Sequence, residues 1–227
     1  VDKMPSDSFM QNVAMEMNLS ETAFIEHLDK NEFRIRFFTP STEIQIAGHP
    51  TLASAHILYD KAIVPKNEKI TFVSNNATLE VEKNEECISM SFPKYPLTQI
   101  ENNPLLNNII GFEPMELYRS NYNWVIAIAN SVEDIKNCSP NFSELLENNF
   151  GHLMITAKSQ SGIEDFVVRC FAPVMGVNED PVTGSAHCAL TPLWSKKLGK
   201  SELKSKQISQ RTGKLWLKQI GERVEIK

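Results

Sequence analysis

The sequence predicts an α+β chain built from two related halves, and three observations carry that reading. Most apolar runs are short enough to be strands, with only a few stretches of helical period between them. The segment Arg36-Phe37-Phe38-Thr39-Pro40 returns 133 residues later as Arg169-Cys170-Phe171-Ala172-Pro173. Behind each copy comes a polar loop and then a helix start of small residues, Gly48-His49-Pro50-Thr51 in one case and Thr183-Gly184-Ser185-Ala186 in the other. A five-residue match alone is open to chance; the shared strand, loop and helix order makes chance a poorer explanation.

The elements follow in order. Ser8 to Met17 spaces Phe9, Val13 and Met17 four apart, with serines upstream to cap a helix. Ala23 to Glu26 and Phe33 to Phe38 read as strands, because alternation and aromatic residues replace the helical period. After Gly48, Thr51 to Lys61 reads as a helix with an apolar face of Leu52, Ala53, Ala55, Ile57 and Leu58. Further strands are expected at Lys69 to Val73, Thr78 to Glu82 and Cys87 to Phe92. Pro93, Pro96 and the Asn-rich stretch 101–108 break the pattern, which places an N-terminal lobe at 1–94 and a C-terminal lobe at 95–227. In the second lobe, strands at Trp124 to Ala129, His152 to Ala157 and Asp165 to Cys170 precede a helix from Ser185 to Leu198. Pro192 is expected to kink that helix or displace one hydrogen bond, and Gly199 to stop it. Lys214 to Lys218 and Arg223 to Ile226 flank Gly221 as a closing hairpin, placed to rejoin the first lobe.

Composition narrows the function. The chain has 227 residues, long enough for a sizeable core, with 41% hydrophobic and 22% charged residues. A net charge of −5 argues against nucleic acid and against anionic membranes as partners. No apolar run approaches the ~18 residues that cross a bilayer. Cys87, Cys138, Cys170 and Cys188 are scattered without a CxxC pair, which suits buried thiols in the cytoplasm better than disulfides or a metal site. Val1-Asp2-Lys3-Met4-Pro5 is neither a signal nor a transit peptide and lacks an initiator methionine, so a preceding segment is expected.

The paired helix starts carry chemistry. The first turn of a helix has unpaired N–H groups and the positive end of the dipole, and Gly or Ser there lets an anion approach closely. Taken singly, Gly48 and Gly184 read as turn glycines, since lone glycines before helices are common. The residues around them are rich in acid, hydroxyl and imidazole groups: His49 at one start, and Glu179-Asp180-Pro181-Val182-Thr183-Gly184-Ser185-Ala186-His187 at the other. Glu21, in Asn18-Leu19-Ser20-Glu21-Thr22-Ala23-Phe24, is a third candidate between apolar neighbours.

These stretches, with Gly48 to His56, Glu179 to Leu190 and the closing Ser209-Gln210-Arg211-Thr212-Gly213, resemble the PhzF (phenazine-biosynthesis) family nearly end to end. The resemblance implies the diaminopimelate-epimerase-like fold: two pseudo-symmetric lobes, each a curled β-sheet around a central helix, with the active site between them. It implies an isomerase that works without cofactor or metal on a small-molecule carboxylate, and a homodimer. In the phenazine enzyme itself, proton transfer moves the double bonds of a dihydro-hydroxyanthranilate. The family's general acid/base falls on Glu21. Its remaining site positions fall on His49, Asp180, Gly184 and Ser185, with Gly48 beside His49 as a further substrate-binding residue. Moving a proton between carbons suits such a carboxylate, which removes the proton and returns it elsewhere. The related racemases and epimerases use one cysteine at each helix start; here Ala47 and Asp180-Pro181 stand there and Cys188 lies a turn further on, which disfavours two-thiol chemistry. The competing expectation is a small-anion binding protein that keeps the site and lacks the reaction.

Overall fold

A computed structural model describes every residue except Asp2 and Glu86. The elements run α1 (Asp7–Met17), β1 (Thr22–Asp29), β2 (Glu32–Phe38), β3 (Glu43–Ile44), α2 (Gly48–Asp60), β4 (Ile70–Val73), β5 (Thr78–Lys83), β6 (Ile88–Pro93) and β7 (Leu97–Ile100). They continue with α3 (Pro104–Ile110), β8 (Glu116–Ser120), β9 (Val125–Ile128), α4 (Val132–Asn137), α5 (Phe142–Glu147), β10 (Leu153–Lys158) and β11 (Phe166–Ala172). A 3-10 turn at Pro173–Met175 leads to β12 (Val177–Asp180), α6 (His187–Leu198), β13 (Glu202–Gln207), β14 (Gly213–Ile220) and β15 (Arg223–Ile226). The chain divides into two compact units, Val1–Pro93 with Ile220–Lys227, and Lys94–Gln219. Among the described residues no helix is long and apolar enough to cross a membrane.

In the first unit the strands lie in the order β1-β2-β4-β5-β6-β15, with β3 on β2. β1 and β3 are antiparallel to β2, whereas β4 joins β2 in parallel after the crossover through α2. The buried face of α2 is Thr51, Ser54, Ala55, Leu58 and Tyr59, a 3.6-residue stripe. This corrects the expected apolar face: Leu52 and Ile57 are exposed, while Thr51 and Ser54 are buried. The two hydroxyls tolerate burial because each donates one turn back, Thr51 Oγ1 to Ala47 O at 2.6 Å and Ser54 Oγ to Pro50 O at 2.8 Å. Tyr59 is fully buried and its hydroxyl donates to Glu68 O at 2.9 Å and Val81 O at 3.2 Å. Helix α1 starts at Ser6, whose hydroxyl accepts the Phe9 N–H. It too buries a different stripe from the expected one: Met10 and Ala14 pack on Phe24 and Phe38, Val13 packs partly buried beside them as expected, and Phe9 and Met17 face outward.

In the second unit the order is β14-β13-β11-β10-β9-β8-β7, with β12 on β11. Here β10 and β12 are antiparallel to β11, and β13 joins β11 in parallel after α6. The internal topology therefore repeats strand for strand, β1-β2-β3-α2-β4-β5 against β10-β11-β12-α6-β13-β14. Its core gathers Leu106, Ile110, Val125, Leu153, Ile155 and Phe171, each at 2% exposure or less. At ~25 cal/mol per Å², full burial of each such side chain contributes about 1.5–3 kcal/mol. The Asn-rich stretch, expected only as a break, also holds α3, because Asn103 caps it through Leu105 N–H and Pro104 takes the position where a missing N–H costs nothing. Helix α6 begins at His187, two residues later than expected: Gly184 to Ala186 form a tighter turn, with His187 N–H donating to Gly184 O at 3.0 Å and Cys188 N–H to Ser185 O at 3.1 Å. Pro192 has no N–H to offer the carbonyl of Cys188, one turn back, and the backbone N–H of Tyr95 takes that place at 2.9 Å.

Candidate active site

Glu21 stands immediately before β1, after the left-handed residue Asn18 turns the chain out of α1. Its side chain is 12% exposed, and Oε2 lies 2.7 Å from His49 Nε2. Oε2 is closed to solvent and no hydrogen-bond donor aligns with it among the described residues. The enclosure does not come from Leu19, an expected apolar neighbour, which is 55% exposed; Phe24 is buried. His49 is the second residue of α2, and Ser20 Oγ is 3.3 Å from its Nε2. Glutamate, serine and imidazole thus converge within the first unit, the two partners of the ion pair coming from positions 28 apart.

Gly48 opens α2 and is buried, and the cap residue Ala47 has no side chain to satisfy the first N–H groups. Pro50, in the first turn, withdraws no helical hydrogen bond there. The start of α6 is likewise without a side-chain cap. At α6 the first N–H groups turn instead to the backbone of the preceding turn, His187 N–H to Gly184 O and Cys188 N–H to Ser185 O.

In the second unit Asp180 ends β12, 6% exposed, opposite Cys170 in register. The Thr183 hydroxyl donates to Asp180 Oδ2. Gln207, absent from the sequence-level candidates, is fully buried at the end of β13 and reaches this turn with both ends of its amide. Its Oε1 accepts the Thr183 N–H at 2.8 Å, and its Nε2 donates to Asp180 O at 2.6 Å and contacts Thr183 Oγ1 at 3.2 Å. Ser209 Oγ donates to Pro181 O at 2.6 Å and accepts the Thr212 N–H at 3.2 Å. Gly213 completes the support, because a Cβ there would come within 2.4 Å of Val182 Cγ2. Thr212 beside it holds φ +61°, a left-handed conformation that β-branched residues rarely adopt.

His187 seals the floor of the same turn. It is fully buried; its Nδ1 donates to Thr183 O at 3.0 Å, and its Nε2 accepts from Ser205 Oγ at 2.7 Å. Burial pushes the imidazole down to about 4, so it stays neutral and holds this tautomer. Phe166 packs against it and stacks on Trp194, whose indole N–H donates to Thr156 Oγ1. Of the four free cysteines, Cys138, Cys170 and Cys188 are buried, and burial raises the thiols of Cys138 and Cys170, the former to about 11. Neither is primed as a thiolate.

Glu21, His49 and Gly48 come together in the first unit, and Asp180, Gly184 and Ser185 lie within six residues of chain in the second. Comparison with known proteins gives the family and the fold. The model of the phenazine biosynthesis-like protein family matches residues 2–226. The chain belongs to that family. It is 42% identical, over 96% of its length and 82% of the relative's, to an uncharacterized isomerase of Halalkalibacterium halodurans. The crystal structure of a PhzF-family phenazine biosynthesis protein from Enterococcus faecalis superposes with a TM-score of 0.89 at 34% identity, covering 100% of this chain and 85% of that one. A probable proline racemase from Agrobacterium radiobacter, 10% identical, matches with a TM-score of 0.63 over 98% of this chain and 79% of its own. The fold is the diaminopimelate-epimerase-like one, and this PhzF-family member is an enzyme of the isomerase type.

Proposed function

We propose that this PhzF-family protein moves a proton along a small unsaturated carboxylic acid, without a cofactor, using Glu21 as general acid and base. The observation that carries the reading is the shielded Glu21 carboxylate, with Oε2 buried and 2.7 Å from His49 Nε2. A carboxylate removes the proton from an allylic carbon, the electron pair shifts along the conjugated system, and the same carboxyl returns the proton to a carbon further on. No atom is lost and no oxidant is needed. His49 orients the carboxylate, with Ser20 beside the ring. Asp180 and the amides of Gly184 and Ser185 bind the polar groups of the substrate, and Gly48 leaves the start of α2 open to an anion.

The test uses cyclohexa-2,5-diene-1-carboxylate, whose C–H is allylic twice over and adjacent to a carboxylate, in deuterated water. Proton NMR is expected to show catalysed deuterium entry or double-bond migration with the parent protein, and a loss of about 10²–10⁴-fold in Glu21→Gln. Full turnover in that variant overturns the assignment. The uncapped start of α2 also favours a second reading, anion binding without reaction. That reading requires the acid to raise the melting temperature equally in parent and Glu21→Gln, with no deuterium entering it.

A further inference from the structure

We infer that Gln207 is the positioning residue for Asp180, a role that rests on the reading of Asp180 as a substrate-binding group. Gln207 is the last residue of β13, where the ladder to β11 runs out at Val168. Just past it the Ile208 N–H still donates to Val168 O at 2.9 Å, while the 180–183 turn is reached by the Gln207 side chain. A primary amide carries the donor and acceptor of a peptide group, and here it pairs with the N–H of Thr183 and the carbonyl of Asp180 as a neighbouring strand would. Orientation of the amide is unambiguous, because a backbone N–H only donates and a carbonyl only accepts.

The same amide reaches the Asp180 carboxyl through one intermediary. Nε2 lies 3.2 Å from Thr183 Oγ1, and that hydroxyl donates to Asp180 Oδ2. With its oxygen engaged by the Gln207 amide, the Thr183 hydroxyl turns its proton to the carboxylate. Gln207 therefore fixes both the backbone of Asp180 and the direction from which its side chain is held. The contact from the Cys170 thiol, 3.9 Å from Oε1, closes the remaining side. Complete burial of Gln207 makes the arrangement costly to disturb, since any unpaired amide atom stays unpaired. A general structural glutamine would stabilise the fold evenly; this one acts on a four-residue turn that ends in the candidate site.

Two variants of the whole protein test this. Gln207→Met keeps the volume and removes all three hydrogen bonds to the turn. In it the Thr183 amide is expected to exchange with solvent about five- to tenfold faster, the worth of about one hydrogen bond, while the amides of Leu203 and Ser205 keep their rates. Turnover of cyclohexa-2,5-diene-1-carboxylate is expected to fall by up to about 10²-fold, as small misplacements of a site group do. Gln207→Glu keeps the shape. A protonated glutamic acid supplies one donor and one acceptor; an ionised one has no donor and faces the Asp180 carbonyl, the Thr183 hydroxyl and the Cys170 thiol, with the Asp180 carboxyl one hydroxyl away. Its turnover is therefore expected to carry a descending limb as pH rises through the new carboxyl, a limb lacking in the parent and in Gln207→Met. Unchanged Thr183 exchange in Gln207→Met overturns the inference. So does undiminished turnover with a loosened turn, or a Gln207→Glu profile that follows the parent. Should the parent itself leave the acid untouched, the reading of Glu21 fails for that substrate, and the Thr183 exchange comparison still decides whether Gln207 holds the turn.

Discussion

Arg36 and Arg169, 133 positions apart, make the same contacts in their own units. Each guanidinium forms a two-pronged pair with a glutamate on the next strand, Arg36 with Glu43 at 2.8 and 2.6 Å and Arg169 with Glu179 at 2.7 and 2.9 Å. Each also lies over the phenylalanine two residues on, Phe38 at 5.2 Å and Phe171 at 4.9 Å. The repeated Arg-x-Phe segment thus has a physical purpose: a planar fork ties the central strand to the short strand that leads into the loop before the helix.

The two arginines are not equally engaged. Arg169 also donates to Ile135 O at 3.0 Å and Cys138 O at 2.6 Å, whereas Arg36 adds the exposed Asp7. Arg169→Lys is therefore expected to cost about 2–3 kcal/mol in urea unfolding and Arg36→Lys about 1 kcal/mol. Equal losses would contradict this ranking.

Acid stability follows from His187. Burial lowers its folded-state value to about 4, below the ordinary 6.5. Between those values the unfolded chain binds the proton and the folded chain does not, so stability rises with pH across that window and falls as pH drops through it. The expected loss from pH 7 to 4 is about 3 kcal/mol from this residue, and His152, also lowered by burial, acts with the same sign. Denaturant titrations at a series of pH values check it: His187→Gln is expected to have lower stability at pH 7 and a flatter pH dependence.

Gly213 sets how closely the 209–213 turn approaches Val182. Gly213→Ala forces a Cβ to within 2.4 Å of Val182 Cγ2, so a loss of about 1–3 kcal/mol is expected. Adding Val182→Ala takes away both Cγ atoms and leaves a 3.3 Å contact to Cβ, so the double variant is expected to be more stable than Gly213→Ala alone. Thermal melts of the three variants decide the point.

His49 is expected to matter through Glu21 rather than by itself. His49→Gln leaves a donor of similar reach but no imidazole beside the carboxylate 2.7 Å away. Deuterium entry into cyclohexa-2,5-diene-1-carboxylate is expected to fall about 10–100-fold, less than in Glu21→Gln, and a double variant no worse than Glu21→Gln would show that the two act as a unit.

Much of this was legible in the chain. The strand β2, the Gly48 and Gly184 turns and the stops at Pro93 and Gly199 follow from alternation, from residues without a Cβ or an N–H, and from a repeat that any reader can align. The faces of α1 and α2 were not legible. Hydrophobicity pointed to Phe9 and Leu52, yet Met10, Thr51 and Ser54 went inside, because a hydroxyl that bonds its own helix is cheap to bury and a single exposed apolar side chain costs little. Gln207 was equally hidden. Nothing marks a glutamine near a strand end as special until a turn 24 positions away arrives against it.

What the sequence determined by itself was the class of fold, its internal duplication and the residue types gathered at two helix starts, since local backbone preference and motif spacing are properties of neighbours along the chain. Which of those residues meet was decided by the tertiary structure alone. The 2.7 Å approach of Glu21 to His49 and the Gln207 hold on Asp180 and Thr183 join distant positions, and such contacts exist only once strand pairing has paid the entropy of closing the loops between them.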